Sequence, residues 1–365
     1  MKRMVKGIIG AAMLAVCTAG FVGCSGSKSV QVGIVLPTKD EPRWIQDETS
    51  FKKLLEGKAS VELLFSQGDP NKEKQNVEAL LNKGIKVLLI CPHDGAAAAA
   101  AVEQAKKDGV TVISYDRLVT DTNAVDYYVT FDSFEVGVAQ GQYLIDRAEK
   151  GKKGQSLYLY AGAASDNNAF IFFEGAWSVL QPKIADGTFA IRNSDKANAL
   201  MNKKYLTRSE IADIINQVTT DWNFDTAKKK AADNLTVSSD SEKGKCFVLA
   251  PNDGTARAIA DEFAKDPAVS SYIITGQDAE LASAQYIIDG KQSMTVWKNT
   301  AILARDAITM ALDILDGKVP ETTSTYDNNV KKVPAKQTAI TVIDKGNVKL
   351  LAEANYNGAA TALKF

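Results

Sequence analysis

With 365 residues, 45% of them hydrophobic and 24% charged, the chain is long enough for two ordinary domains and too evenly mixed to be disordered or a polytopic membrane protein. Lys plus Arg (43) nearly cancels Asp plus Glu (44), so there is no basic field to hold nucleic acid and no strongly acidic tail. A small or uncharged ligand fits this balance.

Residues 1–24 follow a rule of their own. Lys2, Arg3 and Lys6 precede an apolar run from Gly7 to Val22, shorter than the roughly 20 residues plus flanks of a membrane span, and this reads as an export signal. The run ends in Phe21-Val22-Gly23-Cys24 before Ser25, Gly26 and Ser27, which resembles a bacterial lipobox. Cys24 is the expected lipidation site, with acyl chains holding the chain to a membrane at about 0.8 kcal/mol per buried CH₂. A plain cleaved signal peptide is the alternative.

Val30 to Pro37 (VQVGIVLP) reads as a fully buried strand, and Arg43 to Glu56 sets Trp44, Asp47, Phe51, Leu54 and Leu55 at helical spacing. Strands VELLF (61–65), IKVLLI (85–90) and VTVISY (110–115) then alternate with helices over 70–83 and from the poly-Ala run at 96–101. Strands apolar on both faces argue for parallel sheets covered by helices on both sides, with right-handed crossovers. A second series repeats the pattern: helices 133–149, 168–181, 255–265 and 279–289 alternate with strands 156–161, 246–250, 272–275 and 293–297. Between 190 and 245 it loosens into charged helical stretches, a long connection that carries Trp222 in a polar context. The expected fold is α/β, with two doubly wound Rossmann-like lobes joined by a three-strand hinge. Residues 29–131 plus 298–325 form the first lobe and 132–297 plus 326–365 the second. Cys91 and Cys246 lie in different apolar strands and are expected as buried thiols, not as a disulfide.

Doubly wound sheets bind ligands beyond the carboxyl ends of their strands. There the sequence places Lys39, Arg43 and Trp44; Asp116 and Arg117; Asp166, Asn167 and Asn168; Asn252 and Asp253; Gln277 and Asp278; and Lys298. Adjacent sugar hydroxyls suit the paired atoms of Asp, Asn and Arg side chains, and the apolar face of a pyranose packs on an aromatic ring, with Trp44 and Trp222 as candidates. Phe131, Phe172 and Phe173 fit a core better. Each reading has a plainer rival. Asp116-Arg117 could be a surface ion pair worth about 0–1 kcal/mol; Asp166 and Asp253 read as helix caps, whereas Asn168 and Asn252 are favoured as ligand contacts. Trp44 could belong to the buried stripe of its helix. His93, beside Cys91 and Asp94, has no second His and no CxxC to complete a metal site, so neither a metal nor a cofactor is expected.

These segments also resemble a known family. EPRW (41–44), SYDRL (114–118), TFDSFEVG (130–137), SDNNAF (165–170), APNDG (250–254), GQDAE (276–280), MTVWK (294–298) and NNVKKVP (328–334) are similar to the xylose-binding and multiple-sugar (glucose/galactose) binding proteins, a branch of the type I periplasmic binding proteins. The likeness runs from about Val30 to Lys345. It implies that Arg43, Asp116, Arg117, Asn167, Asn168, Asn252, Asp278 and Lys298 hydrogen-bond a monosaccharide flanked by Trp44 and Trp222, and that a monomeric exported lipoprotein delivers it to an ABC permease. Presentation to a chemoreceptor or sensor kinase is compatible with the same design. An exported sugar-converting enzyme is the rival of another class, and it would need a carboxylate pair or a metal; Asp116 and Asp278 could form the pair, but donors surround both. The ligand-sensing half of a repressor shares the fold, yet no DNA-binding helix pair precedes the lobes.

Overall fold

The first parallel layer grows from runs with no polar face. In β1 (Val32–Leu36) all five residues are buried, as are the four of β3 (Val87–Ile90). β1 lies between β3 and β2 (Val61–Phe65), with Val32 opposite both Val61 and Val87. Between them, α1 (Pro42–Leu55) and α2 (Pro70–Asn82) each start on a proline, whose missing N–H is an orphan donor there in any case. Asp69 caps α2 by accepting from the backbone N–H of Asn71 and Lys72. α3 (Ala99–Lys107), β4 (Thr111–Tyr115) and β5 (Tyr127–Phe131) complete the outward path. The computed structural model describes residues 30–365; Cys24 and the export segment lie outside the described residues.

The second lobe runs α4 (Ser133–Asp146), β6 (Gln155–Leu159), α5 (Asn167–Ala185), β7 (Phe189–Ile191), α6 (Asp195–Ala199), α7 (Arg208–Val218), α8 (Phe224–Val237), β8 (Gly244–Leu249), α9 (Asp253–Phe263), β9 (Val269–Ile274), α10 (Leu281–Ile288) and β10 (Met294–Lys298). The chain then returns to the first lobe through α11 (Thr300–Leu315), β11 (Ser324–Asp327) and β12 (Lys332–Thr338), and crosses back to β13 (Ile340–Asp344), α12 (Lys349–Glu353) and α13 (Ala359–Ala362). One sheet has the order β11-β12-β5-β4-β3-β1-β2, another β7-β6-β8-β9, and β10 pairs antiparallel with β13. This is the expected architecture of two α/β lobes. The lobes are joined at Asp132, Asn299 and Ala339, each a lone residue between an element of one lobe and an element of the other. The Asp132 N–H donates to the Thr338 carbonyl at 3.2 Å, tying the first and third crossings together.

The returning segment differs from the expectation, which ends it at 325. Residues 326–338 stay with the first sheet, because β12 pairs in parallel with β5 and antiparallel with β11. The burial of β12 is broken and includes a proline, so it lacks the continuous apolar run that marks the inner strands. The 190–245 connection is mostly helical. A capping box between Thr207 and Glu210 starts α7, which buries Ile211, Ile214, Ile215 and Val218. Cys91 and Cys246 are free and buried, as expected.

Glycines set the closest helix contact of the second lobe. A Cβ on Gly137 of α4 would fall 1.9 Å from the Phe172 carbonyl oxygen, and one on Gly175 of α5 would fall 2.1 Å from that of Phe134. The two helices therefore meet backbone to backbone, which fixes the height of α5 and of the residues at its start. Gly137→Ala is expected to cost about 1–3 kcal/mol of stability through overpacking, read as a lower midpoint in urea unfolding.

Candidate functional site

The loops that follow the carboxyl ends of the strands in both lobes meet in one cleft. Glu41, Arg43, Trp44, Asp116 and Arg117 line it from the first lobe, and Asp166, Asn168, Phe172, Trp222, Asn252, Gln277, Asp278 and Lys298 from the second. The lobes are drawn together: the Asn168 Nδ2 donates to the Asp116 carbonyl at 2.8 Å, and the Gly95 N–H donates to the Ser165 carbonyl at 3.1 Å.

Charge in the cleft is buried and paired. The Arg43 Nη2 stands 2.6 Å from the Asp116 Oδ2, with its Nε 3.6 Å from the Asp47 Oδ2 behind it. Burial acts to raise the Asp116 carboxyl, but Arg43, Lys298 and Arg117 together outweigh it and hold the group below the usual range. Asp47 fares differently. Burial dominates over Arg43 and pushes it up to about 7. Lys298 pairs with Asp278 at 2.9 Å and lies 5.5 and 5.7 Å from the rings of Phe131 and Phe172. The guanidinium of Arg117 sits between Glu41 and Asp166, each 3.1 Å away.

Three lining residues hold left-handed backbone without being glycine: Asp116 (φ 61°), Trp222 (φ 57°) and Asp278 (φ 99°). Such conformations cost about 1–3 kcal/mol each and persist where surroundings over-determine them. For Trp222 the reason is visible, since its indole covers Gly162 so closely that a Cβ there would fall 2.0 Å from the ring. Phe172 meets Trp222 edge to face at 6.3 Å. The Trp222 Nε1 and the Gln277 Oε1 are buried without a partner in the chain, and buried polar atoms of this kind call for a hydrogen-bonding ligand or water.

Of the residues read from the sequence, Arg43, Trp44, Asp116, Arg117, Asn168, Trp222, Asn252, Asp278 and Lys298 are brought together here. Lys39 is not: it is largely exposed, 3.8 Å from Glu48 and 4.5 Å from the Phe65 ring, held outside the cleft by the start of α1. Asn167 is also outside, its Oδ1 taken by the Arg208 Nη1 at 2.9 Å. Trp44 lines the cleft yet is 1% exposed and belongs to the first lobe's core. Asp166 caps α5 as expected. Asn252 caps α9, although the sequence favours it as a ligand contact alone, while Asp253 is no cap and accepts from Gln292 and from the Glu280 N–H.

Sequence reasoning did not commit to Glu41, Phe172 or Gln277. Gln277 had the signal of the strand end it shares with Asp278, and Phe172 lies one helical turn after Asn168. His93 is a half-buried loop residue whose N–H donates to the Glu73 Oε2 at 2.9 Å. No cluster of metal-ligating side chains is found among the described residues.

The periplasmic binding protein domain profile matches residues 32–319. The multiple sugar-binding periplasmic receptor ChvE of Rhizobium radiobacter is 34% identical over 340 residues, covering 89% of this chain and 90% of its own. The D-xylose-binding periplasmic protein of Escherichia coli is 28% identical over 340 residues, covering 92% and 94%. A crystal structure of a carbohydrate transporter solute binding protein from Chloroflexus aurantiacus, in complex with D-glucose, is 61% identical with a TM-score of 0.88, covering 91% of this chain and 97% of that one.

Gly162→Ala is expected to push the Trp222 indole out of place while leaving the sheets intact, read as changed tryptophan fluorescence with unchanged far-ultraviolet circular dichroism. The raised pKa of Asp47 sets a pH dependence. A carboxyl raised from 3.8 to about 7 on folding contributes stability that is complete below its unfolded pKa and lost as pH rises through about 7. Between pH 5 and 8 the wild type should therefore lose melting temperature relative to Asp47→Asn; a constant difference between the two would refute the assignment.

Proposed function

Because the chain belongs to the periplasmic binding protein family, we propose that it is an extracytoplasmic solute-binding protein that captures a monosaccharide between two closing lobes and hands it to an ABC sugar importer. The observation that carries this reading is the closed cleft itself, whose donors and acceptors come from both lobes, so that a ligand completes its contacts only when the lobes meet. Trp222 and Phe172 offer apolar surface to the ring's C–H face, while Asp116, Asp278 and the Gln277 Oε1 offer acceptors and Arg43, Arg117 and Lys298 donors.

Two of the similar proteins are named for multiple sugars and for xylose, and a third is held in complex with D-glucose, and this supports glucose and xylose as the first candidates. Chemistry on the sugar is not part of the reading. Arg43, Lys298 and Arg117 outweigh burial and hold the Asp116 carboxyl below the usual range, so it accepts hydrogen bonds and has no proton to donate to a leaving group, while Asp278 is paired with Lys298. The lipobox-like Cys24 extends the proposal to an anchored protein on the outer face of a membrane, and presentation of the loaded form to a chemoreceptor or sensor kinase is compatible with transport.

Calorimetric titration with a panel of pentoses and hexoses tests the reading. Binding of one or a few in the micromolar range, about −8 kcal/mol, with the sugar recovered unchanged, is the expected result; silence across the panel would sink the monosaccharide assignment. Asp116→Ala and Asp278→Ala should each weaken binding by about 30-fold or more, because each removes a sugar acceptor together with the nearest partner of a buried cation, Arg43 or Lys298, with the circular dichroism spectrum unchanged.

A further inference from the structure

Arg117 holds two carboxylates of different standing. Glu41, at the start of α1, belongs to the same lobe and meets the Arg117 Nη2 at 3.1 Å. Asp166 belongs to the opposite lobe and meets the Nε at 3.1 Å, in a pair whose side chains are 6% and 4% exposed. The other Asp166 oxygen is already committed, accepting from the Asn168 N–H at 2.9 Å to cap α5. One carboxylate thus fixes the tip of α5 and reaches across the cleft. The flanking residues cross at the same place, through the Ser165 carbonyl to Gly95 and the Asn168 amide to the Asp116 carbonyl.

A buried ion pair of this kind exists only while both partners are out of water. With the lobes apart, Asp166 and Arg117 are each hydrated and the guanidinium is steered by Glu41 alone. With the lobes together, Nε and Nη2 are taken and Nη1 is the part of the fork left for a ligand in the cleft that Arg117 lines. We infer that Asp166 is a positioning residue for ligand capture: acting through Arg117, it makes closure of the lobes and alignment of a ligand-binding guanidinium one event. The inference rests on the reading of the cleft as a monosaccharide site. It assigns Asp166 to retention of the sugar and not to its recognition.

Asp166→Asn separates the two roles of the residue, since Asn caps a helix as well as Asp does but carries no charge. Stopped-flow tryptophan fluorescence with the sugar found by titration reads both rate constants. The expected result is a kon within about threefold of wild type and a koff faster by about 10- to 30-fold. The same substitution on an Arg117→Met background should add almost nothing, because its partner is already gone. Asp166→Ser, which keeps a capping oxygen, gives the same reading should the Asn variant not fold. A wild type that binds while Asp166→Asn keeps its koff overturns the inference alone, as does a full additional loss on the Arg117→Met background. A wild type that binds no monosaccharide overturns the reading of the cleft and this inference with it.

Discussion

Charge that is buried must be paired, and the rest of this structure is arranged around that requirement. Arg43, Asp116, Arg117, Asp166 and Lys298 are all at most 6% exposed, and any of them left alone would cost several kcal/mol. Every one has an opposite charge within hydrogen-bonding reach, and the Arg117 pair with Asp166 spans the two lobes. Closure is therefore part of the electrostatic solution and not a consequence of ligand contact alone. For Asp116 the surrounding cations outweigh burial and hold the carboxyl below the usual range, so it faces the cleft as an acceptor.

The fold supplies two stiff bodies and a soft junction between them. Each lobe has a sheet apolar on both faces, and the backbone-to-backbone contact of α4 with α5 through Gly137 and Gly175 leaves little slack around Phe172 and Asn168. The junction is three residues wide. Asp132, Asn299 and Ala339 each link an element of one lobe to an element of the other, so a modest change of backbone angles at these positions can turn the lobes without disturbing either core. Lys298 and Phe131 lie directly beside two of the crossings and also meet over the cleft, which couples the site to the junction.

Much of the fold was legible because parallel strands buried on both faces leave long apolar runs, as VGIVL and VLLI do. β12 was not, since KVPAKQT alternates irregularly and takes its place only by pairing with β5. The site was legible for a related reason: polar residues directly after an apolar strand have one place to go. That rule found Asp116, Arg117, Asp278 and Lys298. It misplaced Lys39 and Asn167, because adjacency in sequence does not say toward which side of a helix start a side chain turns.

Composition, strand runs and strand-end residues thus determined by themselves that the chain forms two α/β lobes with a polar cleft between them, because burial patterns and strand ends are local properties of a sequence. Only the tertiary structure decided which carboxylate faces which cation and that Gly162 leaves room for the Trp222 indole. Those outcomes depend on contacts between residues tens of positions apart in the chain, such as Arg43 with Asp116 and Gly162 with Trp222. No periodicity in the sequence carries such contacts; they follow from how each lobe folds and how the two close.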